Sequence, residues 1–194
     1  MATTAAPYGF RPVGLLGGGT WSDAIRHIKI ANDYGTAIFY GDVVKIVNTG
    51  TIEKDTGTTT MTPCGIFVGC KYTDPNTNQL TFNQTYPAST AADDIMAYVV
   101  DDPNVLFTIQ ADAAFTNTRD IYGKNTLLVQ GSANTTLGIS RVALDASEIS
   151  TDAQNPIRII DYLGGDQGDE KGSSFPILVC KFNYHQHALA TGSA

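Results

Sequence analysis

Apolar and polar residues alternate with a period of two over short runs along most of the chain, which is the pattern of half-buried β-strands. No amphipathic run reaches three helical turns. The stretch Thr36–Tyr72, TAIFYGDVVKIVNTGTIEKDTGTTTMTPCGIFVGCKY, carries the densest pattern. It predicts Ala37–Tyr40 running into a strand at Val43–Val47, a polar Thr/Gly-rich excursion, and a further strand at Gly65–Tyr72. Val44 and Ile46 share one face of the middle strand while Val43, Lys45 and Val47 share the other. Both faces are largely apolar, so this strand is expected to be covered on both sides. Val44, Ile46, Ile66 and Val68 are expected to lie together in the core of a barrel or sandwich.

The same reading places an earlier strand at Ile25–Ile30, where Ile25, His27 and Lys29 oppose Arg26, Ile28 and Ile30. The turn DPNTN (74–78) separates Phe67–Tyr72 from Leu80–Phe82 and predicts a hairpin. Ile95–Val100 and Val105–Ala111, joined by Asp101-Asp102-Pro103-Asn104, predict a second one. Short helical turns are expected within Tyr86–Asp93 and Asp145–Thr151, and for Asp112–Asn125 the Thr-Asn-Thr interruption favours a loop over a short helix. Further strands are expected at Thr126–Gln130, Gly138–Leu144, Pro156–Leu163 and, as one long strand, Phe175–His187. The polar segment GGDQGDEKGSS (164–174) predicts an exposed loop.

About ten short strands at spacings of roughly 8 to 15 residues make the chain all-β, a single barrel- or sandwich-like domain. That domain spans residues 25–187. Residues 1–24 lack periodicity and carry two prolines and a Gly-Gly-Gly run, which predicts an extended N-terminal arm. Its large side chains make Tyr8, Phe10, Arg11, Val13 and Trp21 the candidates for partner contact, with Arg11 as a bidentate donor to a carboxylate. Leu15, Leu16 and Trp21 are candidates to fold back on the body, and the body is expected to fold without the arm. Residues 188–194 read as a flexible C-terminal tail.

Composition narrows the function classes. Charged residues make up 16% of the 194, against about 25% in typical soluble domains, and Thr, Asn, Ser and Gly take their place. The net charge of −7 and scattered basic residues exclude a surface built to trace a phosphate backbone, so no direct nucleic-acid partner is expected. No 18-residue apolar run marks a membrane span, and MATTAAPYGF has no signal-peptide pattern. Three cysteines, Cys64, Cys70 and Cys180, without paired spacing read as buried thiols of a reduced compartment.

Candidate chemistry is sparse. Gly17-Gly18-Gly19-Thr20 lacks the Gly-Lys-Ser/Thr ending of a phosphate loop and reads as a hinge. His185 and His187, two apart on an expected strand face, have a metal-ligand spacing, with His27 or an acid as the third donor. A polar outer face at the chain end explains the pair more simply, and no metal, cofactor or catalytic residue is assigned. Asp166, Asp169 and Glu170 lack calcium-loop spacing. Asp93–Asp94 and Asp101–Asp102 are adjacent, and their side chains diverge on a strand, so they make poor acid/base pairs. An enzyme is not expected.

Several phrases in order resemble virion structural proteins of tailed bacteriophages. They are APYGFRPVGLLGGGTW (6–21), TAIFYGDVVKIVNTGTIEK (36–54), GIFVGCKY (65–72), YPAS (86–89) and DDPNVLFTIQAD (101–112). GKNTLLVQGSANTTLGIS (123–140) and PIRIID (156–161) extend the likeness over most of the chain. The GD-V-V-K strand followed by the G-I-F-V-G strand is also similar to small capsid cement proteins. The resemblance implies a decoration (cement) protein that binds the outside of the head and stabilises it by linking neighbouring major capsid subunits. It implies a homo-oligomer, with a trimer the expected form, made in the bacterial host cytoplasm and residing on the capsid surface. Another virion part (neck, tail tube or fibre attachment) and a carbohydrate-binding host-surface module remain as alternatives.

Overall fold

The β-branched and aromatic runs that alternate in the sequence become strands of two antiparallel sheets in the computed structural model, which describes residues 4–22, 24–114 and 119–189. The strands are β1 (Arg11–Leu15), β2 (Ile25–Lys29), β3 (Val43–Ile46), β4 (Ile52–Lys54), β5 (Gly65–Thr73), β6 (Leu80–Asn83) and β7 (Met96–Val100). They continue with β8 (Val105–Gln110), β9 (Asn125–Thr126), β10 (Leu128–Val129), β11 (Ala143–Leu144), β12 (Ile157–Tyr162) and β13 (Ile177–Phe182). Among the described residues there is no α-helix, only a three-residue 3-10 turn at Arg119–Ile121.

One sheet runs β1-β8-β13-β12-β9; the other runs β2-β7-β5-β3-β4, with β6 also paired to β5, and β10-β11 form a separate ribbon. The two large sheets face each other over a core of Phe10, Val43, Ile66, Val100, Phe107, Ile109, Ile159, Leu178, Cys180 and Phe182. Phe10, Phe107 and Phe182 form an aromatic triangle with ring centroids 5.3–5.8 Å apart. A second core lies on the other face of the six-stranded sheet, where Ile38, Tyr86 and Ile95 cover Val44, Ile52, Phe67, Cys70, Ala97 and Val99. The chain is therefore an all-β sandwich whose six-stranded sheet is covered on both sides, as the apolar faces of residues 42–48 predict. Val44 and Ile46 nevertheless pack in the second core while Ile66 and Val68 pack in the first, because Val43 and not Val44 is the cross-strand partner of Ile66.

The β5–β6 hairpin forms as expected. The hairpin expected across Asp101–Asn104 does not. β7 pairs with β2 and β5, β8 pairs with β1 and β13, and the DDPN segment carries the chain from one sheet to the other. Turn chemistry specifies a reversal of direction but not a shared ladder, so the same signal serves an inter-sheet corner. The expected long strand at 175–187 ends at Phe182, and His185–Ala188 turn back onto the sandwich. The segments 86–93 and 145–151 are turns rather than helical.

Residues 11–15, inside the segment expected to be an arm, are extended but docked. They form the edge strand β1 against β8, with a bulge between Pro12 and Gly14. The close approach preceding it demands glycine: Gly9 has φ +72°, and a Cβ there would lie 2.6 Å from the Gly41 carbonyl oxygen. Residues 190–194 of the expected tail lie outside the described residues.

Candidate functional site

The expected partner-contact residues divide once placed. Phe10 is fully buried in the inter-sheet core. Arg11 stacks on aromatic rings, its guanidinium carbon 4.0 Å from the Tyr40 ring centroid and 5.6 Å from that of Tyr8, instead of gripping a carboxylate. Burial lowers its pKa. Tyr8 reaches Thr108, and its half-buried hydroxyl is pushed above its ordinary pKa, chiefly by desolvation. Trp21 packs against the inter-sheet core, as its reading as a fold-back residue anticipates. Val13, 49% exposed, remains available on the surface.

A larger exposed surface lies elsewhere. The cross-strand partners Lys71 with Phe82, Thr73 with Leu80, Lys71 with Met96 and Lys29 with Met96 put these side chains on one face of the six-stranded sheet. It is the face that, nearer Ile66 and Val100, carries the inter-sheet core, but Met96 and Tyr98 belong to neither core. Phe82 is 66% and Leu80 59% exposed at the edge strand β6, and Tyr98 is half-buried against the His27 ring, 4.6 Å between centroids. Lys29 and Lys71 give this surface a basic character in a chain of net charge −7. At its rim the Asp94 carboxylate accepts hydrogen bonds from the Thr73 amide and hydroxyl, which hold its pKa below the usual range. Leu137 is also 62% exposed, on the loop that Gln84 holds through the Leu137 and Gly138 carbonyls.

A polar cluster lies where the loops after β7 and β13 meet the segment before β5. The Asp101 carboxylate is held by the Arg26 guanidinium at 2.8 Å and lies 3.2 Å from His187 Nε2. The same His187 nitrogen is 3.7 Å from Cys64 Sγ. Burial, reinforced by Asp101, pushes the Cys64 thiol up to about 12. His185, expected beside His187 on one strand face, is instead buried beneath it. Its Nδ1 accepts the His187 amide, its Nε2 has no hydrogen-bond partner, and burial pushes its pKa down to about 4. His27 stands with Tyr98 and takes no part in the cluster. The donors that do converge are Cys64 and Asp101, which sequence reading treated as a core thiol and a turn residue. Sequence separations of 123 and 86 residues from His187 leave no local motif to read.

All three cysteines are free and buried, and Cys180 lies within the inter-sheet core. Thiol and carboxylate both approach Nε2 of His187, whereas in a Cys-His-Asp triad they meet opposite nitrogens of the ring. No protein-family model matches the chain, and no curated protein or solved structure matches it either.

Proposed function

We propose that this chain is a structural protein of a tailed-bacteriophage virion, of the decoration type. In that role it binds the outside of the head shell, stabilises the shell by linking neighbouring major capsid subunits, and assembles with copies of itself. The ordered resemblance of its phrases to virion structural proteins supports this reading. The feature of the fold that carries it is the sheet face bearing Leu80, Phe82, Met96, Tyr98, Lys71 and Lys29. Two large apolar side chains beside lysines, on a rigid sheet, suit a surface buried against an acidic partner. Copies of the chain itself, of net charge −7, meet that description. Many copies on a repeating shell gain avidity, so each contact need not be tight alone.

The test replaces the exposed pair, Leu80→Asp with Phe82→Asp, in the phage that carries the chain. The variant keeps its melting temperature, because both side chains are mostly in water, and is lost from purified particles. Retention at the wild-type copy number overturns this assignment of the surface.

A further inference from the structure

Three ligand-type atoms from distant parts of the chain meet at one point. Cys64 Sγ, an Asp101 carboxylate oxygen and His187 Nε2 all lie within 4.8 Å of one another. In tetrahedral zinc coordination, bond lengths of about 2.3 Å to sulfur and 2.0–2.2 Å to nitrogen and oxygen place sulfur about 3.6 Å from nitrogen and nitrogen about 3.4 Å from oxygen. The corresponding separations are 3.7 Å and 3.2 Å. We propose that Cys64, Asp101 and His187 form a binding site for a divalent zinc-type cation that staples the two sheets together.

The donor chemistry agrees. Thiolate, imidazole and carboxylate together favour zinc over the hard cations magnesium and calcium, which take oxygen ligands. One imidazole nitrogen offers a single lone pair or a single proton, so it satisfies only one of its two neighbours by hydrogen bonding. A cation between the three atoms satisfies all of them, and thiolate and carboxylate offset two of the three positive charges that the ion and Arg26 bring together. Arg26 Nε, 2.8 Å from the same Asp101 oxygen that lies 3.2 Å from His187, holds that carboxylate in place.

The surrounding backbone holds the three donors in place before any ion arrives. The Gln186 side chain pairs with Ile46 as a strand would: its Oε1 accepts the Ile46 amide at 2.7 Å and its Nε2 donates to the Ile46 carbonyl at 2.8 Å. The Gln186 amide donates to the Pro63 carbonyl, the Cys64 amide to Val44 and the Asp101 amide to Ala24. Beneath His187, the buried His185 accepts its backbone amide. On the outer side, a cavity of about 390 Å³ lined by Ile25, Arg26, Asp101, Asp102, Pro103 and His187 gives an entry path and room for a water as fourth ligand.

The site's position makes its role structural. Cys64 precedes β5 and Asp101 follows β7 in the six-stranded sheet, whereas His187 follows β13 in the five-stranded sheet. A bound ion ties one layer to the other and stabilises the folded chain by mass action. This inference stands apart from the virion reading, and either can fail alone.

The experiment uses the purified full-length chain, stripped with a chelator and titrated with zinc alone and with cobalt(II) alone. One zinc per chain in native mass spectrometry, a melting temperature raised by zinc, and thiolate-to-cobalt charge-transfer absorption are the expected results. Cys64→Ser abolishes the charge-transfer band, and His187→Gln weakens zinc binding on the order of 100-fold. His187 is solvent-accessible, so His187→Gln keeps the fold and carries the test if Cys64→Ser does not fold. His27→Gln, at a ring that stands with Tyr98 outside the cluster, leaves binding unchanged. Equal zinc affinity in wild type and His187→Gln, or no thiolate–cobalt band in the wild type, overturns the site.

Discussion

Val43 and Val44 are consecutive, both essentially fully buried, and belong to different hydrophobic cores. Val43 points between the sheets and Val44 into the layer closed by Ile38, Tyr86 and Ile95. A strand with a solvated face cannot arrange two neighbours this way. Each Val→Ala substitution is expected to cost about 2 kcal/mol. Since the two side chains share no packing partners, the double variant loses the sum to within about 0.5 kcal/mol. Chemical denaturation of the three variants checks this, and a coupling above 1 kcal/mol, on the same scale, contradicts the two-core arrangement.

Phe10 ties the first residues of the chain to the body. Its ring completes the triangle with Phe107 and Phe182, so Phe10→Ala is expected to cost about 3–5 kcal/mol. Removing residues 1–15 also strips β1 from β8 and exposes an edge. The sequence alone leads one to expect a body that folds without its arm; the docked strand predicts a destabilised one. Circular dichroism and thermal melts of the truncation decide between the two, and an unchanged melt contradicts the docked β1.

Asp42 carries a buried charge. Lys54 Nζ lies 2.9 Å from Asp42 Oδ2, which also accepts the Phe39 amide at 2.9 Å. Lys54→Met strands the carboxylate and is expected to destabilise by about 3–5 kcal/mol at neutral pH. Adding Asp42→Asn recovers part of the loss, because no unpaired charge remains. Urea unfolding of the single and double variants measures this, and a double variant less stable than Lys54→Met alone contradicts it.

The loop following β12 is held by charge. Asp166 bonds Lys171 and Arg119, and the Lys171 hydrogen bond is the chief cause of its depressed pKa. A carboxylate whose folded pKa is lowered contributes stability above the ordinary carboxylate range and loses it as pH falls through the folded value. Amide protection in residues 163–174, corrected for intrinsic exchange, is therefore constant near neutrality and falls below about pH 4. Asp166→Asn lowers protection at neutral pH and removes the acid step. A step that persists in that variant assigns it to another group.

What the sequence made legible was local. The two-residue period marked β2, β3, β5 and the β5–β6 hairpin, because alternation and turn chemistry act over neighbouring residues. The β7-to-β8 corner escaped because Asp101–Asn104 reverses the chain identically whether the strands pair or separate. Phe10 escaped because a single core aromatic flanked by glycine and arginine has no period. Cys64, Asp101 and His187 meet only through the packing of two sheets, and the two-residue spacing of His185 and His187 pointed to the wrong pairing.

The most direct test of the proposed virion role is cryo-electron microscopy of the particle into which that role places the chain. The expected map has the sandwich in symmetry-related copies on the outer shell, with Leu80 and Phe82 buried against capsid subunits or a second copy. Density only at the neck or tail, a shell-bound copy with that face open to solvent, or no density for this chain contradicts it.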